Sequence, residues 1–391
     1  MRALRVAIAT IGRFHVLDLA RELDRLGHEV AFWSLMTARQ TSRYGLPSRA
    51  HRGLLPWLAP LVAAQRYGSR PLATAAGRAL LVATDRLIAS LMEPCDVFIG
   101  MSGLCVESAR RARERHGASV FIERGSRHVL SQKAILDDLC RRGLSSHTVP
   151  DSDVVRELEG YGLADRVVVP SEHARQSFID QGFPVAKLFC NPYGVDLSVF
   201  AQTPAPQGPP TILFVGLWSY QKGVDQLLAA WRTLEGVQLL HVGGVGDAPL
   251  PDEPGFAHVD PVPQDRLPFY YAQAHVFVLA SRQEGLSLVQ AQALACGVPV
   301  ICTDRTGGGD LRRVLDDPSW VTVVPSDDAE ALAHAIRAML SRSQGLRGER
   351  QLLGSGRDKL AWAAYGRRYA RELARVTGHD CVRVDHDHDY T

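Results

Sequence analysis

At 391 residues with 46% hydrophobic and 22% charged content, the chain is long and apolar enough to bury more than one core, which excludes a disordered protein. Its 44 basic and 42 acidic residues leave a formal charge of +2, so no whole-molecule field favours nucleic acid and any anion binding must be local. The seven cysteines are scattered with no C-x-x-C pair, which argues against a disulfide framework or structural zinc and fits a reducing, cytoplasmic setting.

Residues 6–10 form an apolar run too short for a secretory segment and continue into a helical pattern, so they are read as a first strand. The helix predicted over 15–26 carries Val16, Leu19, Ala20 and Leu23 on one face, and Gly27 caps it before a strand at 28–35. The longest apolar stretch, 54–64, is broken by Pro56 and Pro60 and falls far below the ~20 residues that span a bilayer, so a soluble or peripheral protein is expected. Further strands at 96–100, 119–123 and 166–170 alternate with helical segments, as a parallel sheet requires.

Prolines at 204, 206, 209 and 210 stiffen a linker over 199–210. A second α/β unit follows, with strands predicted at 211–216, 238–243, 275–280 and 298–303 and helices over 224–234 and 286–295. The expected organisation is an N-terminal Rossmann-like domain at 1–198 and a C-terminal one at 211–356. A basic amphipathic helix at 357–377 packs back on the first domain, and a tail at 378–391 stays disordered.

Two segments of the second half carry chemistry. In Phe214-Val-Gly-Leu-Trp-Ser-Tyr-Gln-Lys-Gly-Val-Asp225 a strand ends at Gly216 and a loop brings Lys222 to a helix start, where an ammonium joins unpaired amides in a diphosphate receptor. The alternative for Lys222 is a surface lysine beside a cap. In Ser281-Arg-Gln-Glu-Gly-Leu-Ser287 a carboxylate stands at a strand's C-terminal edge, where open α/β sheets bind ligands. The alternative for Glu284 is a favourable helix-N-terminal charge.

The run Glu284-Gly-Leu-Ser-Leu-Val-Gln-Ala-Gln-Ala-Leu-Ala-Cys-Gly-Val-Pro-Val-Ile301 resembles the E-x7-E region of family-4 retaining glycosyltransferases. The resemblance extends to Val215-Gly216 with Lys222-Gly223, to Asn191-Pro-Tyr-Gly-Val-Asp196 and to Val169-Pro-Ser171. Glu123-Arg-Gly-Ser-Arg-His-Val-Leu-Ser-Gln132 resembles a bacterial subgroup of the family, of cell-surface polysaccharide type. It implies the GT-B fold, two Rossmann-like doubly wound domains facing each other across a cleft. It also implies hexosyl transfer from a nucleoside-diphosphate sugar to a hydroxyl of a glycan or lipid-linked acceptor, with no metal and no cofactor beyond the nucleotide sugar itself.

By the same resemblance, Lys222 binds the donor diphosphate, Glu284 binds the sugar hydroxyls, and the amides of Gly285, Leu286 and Ser287 face phosphate or sugar. Gly216 and Gly243 belong to the donor site, and His128 points toward the donor sugar, with Glu123 and Arg124 competing for that place. A histidine at such a loop–helix junction equally serves as a cap. Two positions depart from the family pattern. Leu217 stands where the family usually places an arginine, with Arg282, Arg305 or Arg124 as substitutes, and Gln292 replaces the second glutamate, keeping a hydrogen bond without charge assistance.

Three other readings compete. A metal-dependent GT-A transferase would use Asp151-Ser-Asp153, although Asp153 reads better as a helix N-cap, and the tail Asp385-His-Asp-His-Asp389 reads as a solvated charge run. A GT-B-fold nucleotide-sugar epimerase or a non-catalytic sugar-nucleotide or glycan-binding protein would share the architecture. Acceptor contacts are expected from Gly12, His15 and Arg124 and from the loop near Tyr44-Gly-Leu-Pro47. Between 49 and 90, six arginines face the single Asp85 among Leu54, Leu55, Trp57, Leu58 and Leu61, which suits either an anionic membrane surface or an ordinary solvated face.

Overall fold

A computed structural model describes residues 2–345 and 356–378. The run 385–389 and Cys381 lie outside the described residues, as does the expected tail from 379 onward. The chain divides into two compact units, one made of Met1–Arg124, Asp151–Val168 and Tyr365–Thr391, the other of Gly125–Pro150 and Val169–Ala364. This division differs from the predicted boundary at 199–210, because residues 125–150 and 169–198 group with the second half of the chain.

The strands of the first unit are β1 (Arg5–Ala9), β2 (Glu29–Ser34), β3 (His51–Gly53), β4 (Val97–Met101), β5 (Ser119–Glu123) and β6 (Arg166–Val169). Within that unit they run β3-β2-β1-β4-β5-β6, all parallel. Val6, Ile8, Val97, Ile99, Val120 and Ile122 are fully buried, as in a sheet covered on both faces. The helix His15–Arg25 follows β1, and Gly27 takes φ +90° to turn the chain into β2. The C-terminal helix Trp362–Val376 groups with this unit from Tyr365 onward: Glu372 pairs with Arg166 at 2.6 Å, and the Tyr369 ring lies 5.8 Å from that of Phe121.

The second unit holds β7 (Leu188–Cys190), β8 (Thr211–Val215), β9 (Gln238–Val242), β10 (Phe256–Val259), β11 (Val276–Leu279), β12 (Val300–Thr303) and β13 (Val321–Val324). Six of them form a parallel sheet of order β10-β9-β8-β11-β12-β13. The strands absent from the sequence reading, β3, β7, β10 and β13, are three or four residues long and mostly half-buried, so they carry little continuous apolar signal. The reading of Asp153 as an N-cap is corrected: the helix spans Asp151–Leu163, and both aspartates sit within its first turn, where negative charge favours the helix dipole.

Candidate donor site in the second unit

Parallel pairing of β8 with β11 puts the ends of both strands on one edge of the sheet. After β8, the turn Tyr220–Lys222 leads through Gly223 into the helix Val224–Trp231. Gly223 takes φ +68°, and a Cβ there would stand 2.0 Å from the carbonyl oxygen of Ala280, so glycine alone lets this turn lie against the end of β11. After β11, the Glu284 amide donates to the Arg305 carbonyl at 3.1 Å, and the chain enters the helix Leu288–Ala295.

These two loops meet at their charged side chains. Lys222 Nζ donates to Glu284 Oε1 in an ion pair whose side chains are only 23% and 15% exposed. Ser281 Oγ donates to the same carboxylate oxygen at 3.2 Å, and Glu284 Oε2 has no partner among the described residues. An ammonium has three donors, so this pairing leaves Lys222 two for a ligand. The amides of Gly285, Leu286 and Ser287 likewise find no acceptor among the described residues. One place therefore offers an ammonium, unpaired amides and a carboxylate oxygen, which suits a phosphate beside a polyol.

A third segment reaches the same place. Gln221 Nε2 donates to Gln283 Oε1 at 2.6 Å, and Gln283 Nε2 donates to Ser126 Oγ, tying residues 125–128 to both loops. A Cβ on Gly285 would stand 2.2 Å from the Gly125 carbonyl oxygen, and Ser171 Oγ donates to the Gly285 carbonyl at 2.7 Å. The helix Val129–Arg141 packs against the Lys222 turn. His128 is 4% exposed and caps that helix: its Nδ1 accepts from the Leu130 amide at 3.3 Å, its own amide donates to Ser177 Oγ at 2.8 Å, and its ring meets Phe178 edge-on at 4.8 Å. Capping is thus what the structure shows for Nδ1.

The expectation for Arg282 is corrected. Arg282 does not reach for phosphate. It is 2% exposed and clamped by Asp225 through two bonds of 2.7 Å, by Asp327 at 2.6 Å and by the Tyr220 carbonyl at 2.6 Å. Burial works against its charge, and the two carboxylates more than offset this, so its pKa is raised. The Gly216 and Gly243 amides are committed to the Val242 and Val259 carbonyls at 3.0 and 2.9 Å, and Gly243 is required because a Cβ there would stand 2.0 Å from the Gly216 carbonyl oxygen. Gln292 is 3% exposed and accepts from the Tyr271 hydroxyl at 3.2 Å.

In the first unit, Arg124 pairs with Glu157 at 2.7 Å and His15 with Glu123 at 2.9 Å, both pairs buried, so neither side chain is presented to an acceptor. Gly12 keeps open space around its Cα, and its carbonyl accepts from Thr10 Oγ1 at 3.2 Å. The Arg13 guanidinium lies 4.1 Å from the centre of the Tyr44 ring, bringing the two loops expected to form the acceptor surface into contact.

Of the three substitutes for an arginine at 217, Arg305 alone makes no ion pair among the described residues. Sequence reasoning missed its surroundings. Burial first, then the charges of Arg127 and Arg305, push the His173 imidazole down to about 4, and Ser171, two residues before it, donates to the Gly285 carbonyl, so these guanidiniums stand near the Glu284 loop. Burial and then Arg305 also lower the pKa of Arg127.

Residues 209–342 match the family of Glycosyl transferases group 1, and residues 13–199 match Glycosyltransferase Family 4. The chain belongs to the family-4 glycosyltransferases. Relatives of this GT-B member include a D-inositol 3-phosphate glycosyltransferase of Kineococcus radiotolerans, 28% identical over 59% of this chain and 63% of that protein. Another is a GDP-mannose-dependent alpha-(1-6)-phosphatidylinositol monomannoside mannosyltransferase of Mycolicibacterium smegmatis, 28% identical over 54% of this chain and 62% of that protein. The matched part spans about three-fifths of the length of these curated relatives. The fold is shared with sucrose-phosphate synthase from Thermosynechococcus elongatus, with a TM-score of 0.65 at 18% identity over 96% of this chain and all of that one. It is also shared with Anabaena HepE in complex with UDP and glucose, with a TM-score of 0.61 at 12% identity over 95% of this chain and all of that one.

Proposed function

We propose that this family-4 member transfers a hexosyl unit, with retention of configuration and without a metal, from a nucleoside-diphosphate sugar to a hydroxyl of a glycan or lipid-linked acceptor. The observation that carries this reading is the meeting of Lys222 and Glu284 beside the unpartnered amides of 285–287. As the anomeric carbon–oxygen bond breaks, negative charge grows on the β-phosphate, and the Lys222 ammonium and these amides stabilise it. Each preorganised donor aimed at such charge is worth about 2.7–4 kcal/mol. Glu284 Oε2 holds the sugar hydroxyls. The departing phosphate oxygen takes the proton of the attacking hydroxyl, so the reaction needs no protein base.

The test is release of nucleoside diphosphate from a panel of UDP-, GDP- and ADP-sugars with glycan and lipid-linked acceptors, in EDTA, with the product anomer read by NMR. Lys222→Ala is expected to lower kcat/KM about 10²–10³-fold. Release that requires added metal, an inverted anomer, or a changed donor sugar with no transfer would overturn the reading, the last in favour of the epimerase. Binding of a nucleotide sugar with no turnover of any acceptor would favour a non-catalytic protein.

The proposal includes a setting at the inner face of a membrane. Helices Leu55–Tyr67 and Arg70–Leu91 form a hairpin with Trp57, Tyr67, Leu72 and Leu91 exposed and Arg66, Arg70, Arg78 and Arg86 at the surface. The one carboxylate among them, Asp85, is fully buried, accepting from the amides of 106–108 at 2.9–3.0 Å and pairing with Arg156. The outer face therefore carries apolar and cationic groups with no opposing acid, which matches an anionic lipid surface. No helix among the described residues is long and apolar enough to cross a membrane.

A further inference from the structure

Leu217, the position that lacks the usual arginine, is followed by Trp218, which bridges to Val245 just beyond β9, and next to them lies a pair of histidines that the chemistry above does not use. His241, on β9, is fully buried, and its Nε2 stands 2.9 Å from the Gly216 carbonyl oxygen. Its Nδ1 stands 2.9 Å from Nδ1 of His258, on the neighbouring strand β10, and His258 Nε2 faces the exposed Asp260 at 3.6 Å. Phe214 stacks on the His241 ring at 5.4 Å, and Trp218 covers it at 4.8 Å.

The proton placement follows from the partners. A carbonyl only accepts, so His241 Nε2 carries a hydrogen, and in the neutral ring Nδ1 is then an acceptor. His258 Nδ1 must therefore carry the hydrogen that donates to it. The relay fixes the direction of the Gly216 carbonyl. Because the peptide is planar and trans, the Leu217 N–H points the opposite way, and it has no acceptor among the described residues.

We propose that the His241–His258 relay is a positioning device that aims the Leu217 amide at the donor diphosphate, supplying from the backbone a donor where the family's arginine side chain is missing. The inference rests on the donor-site reading above. Gly243 belongs to the same device, since its missing Cβ leaves room for the Gly216 carbonyl. His258 acts through His241 and does not touch the ligand.

The test titrates the full chain with UDP, GDP and ADP, and with the matching nucleosides, by calorimetry. His258→Leu is expected to weaken the bound diphosphate about tenfold, the scale of one hydrogen bond to a charged group, while nucleoside affinity stays unchanged. His258→Asn, which keeps a donor near the place of Nδ1, restores the affinity, a rescue that loss of packing alone would not give. His241→Phe, which keeps the stack on Phe214 and Trp218, gives the same selective loss. Equal diphosphate affinity in wild type and His258→Leu, or an equal loss for nucleoside and diphosphate, overturns the relay. A wild type that binds none of the three diphosphates defeats the donor-site reading itself.

Discussion

His173 shows how the burial of one imidazole bears on stability. Its folded pKa, about 4, lies below the ordinary 6.5 because burial and two guanidinium charges oppose the imidazolium. Between these values the unfolded chain binds more protons than the folded one, so stability is intact above pH 6.5 and falls as the pH drops toward 4. His173→Gln is expected to flatten that slope in urea-unfolding midpoints measured from pH 7 to 4; an unchanged slope would assign the acid sensitivity elsewhere. Arg282 makes the opposite point, that a basic residue in a binding motif can be wholly structural. Removing it leaves Asp225 and Asp327, both partly exposed, without their partner, so Arg282→Ala is expected to destabilise by about 1–3 kcal/mol, read from chemical denaturation. A loss under 1 kcal/mol would show the clamp to be dispensable.

At the scale of loops and helices, the site depends on backbones that approach closely. Gly223 and Gly285 would each place a Cβ about 2 Å from a carbonyl oxygen, of Ala280 and Gly125, so the Lys222 turn, the Glu284 loop and residues 125–128 lock together only through glycine. Gly285→Ala is expected to cost donor binding more than tenfold, because it pushes 125–128 off the Glu284 loop. Gly309→Ala is the control. It lies in the helix Gly308–Val314 with nothing within 4 Å of its Cβ position, and alanine there should raise stability by about 0.5–1 kcal/mol with binding intact. Differential scanning and nucleotide titration of the two variants read both effects, and a Gly285→Ala that binds normally would show that the close approach is not needed.

At the scale of the whole molecule, the net charge of +2 hides a hairpin whose acid is buried and whose arginines are not. Vesicles containing phosphatidylglycerol should retain the protein at low salt and release it as salt shortens the Debye length, while phosphatidylcholine vesicles should not retain it. Reversal of Arg66, Arg70, Arg78 and Arg86 to glutamate should abolish retention, and retention that survives the reversal would point to a different surface. Much of the rest could be read from the chain alone. Alternating apolar runs and glycine-ended helices determine a parallel α/β fold, and each run that ends in a polar loop before a helix marks a sheet edge able to bind anions, which is how Lys222 and Glu284 stood out. Those signals are local in sequence. Only tertiary structure decided which charges are available, because the partners are far apart along the chain: Asp225 and Asp327 claim Arg282, Glu157 claims Arg124, and Ser126 reaches Gln283 across 157 positions. Periodicity reports which face of an element is buried, whereas the pairing of buried polar groups is settled by the packing that removes them from water.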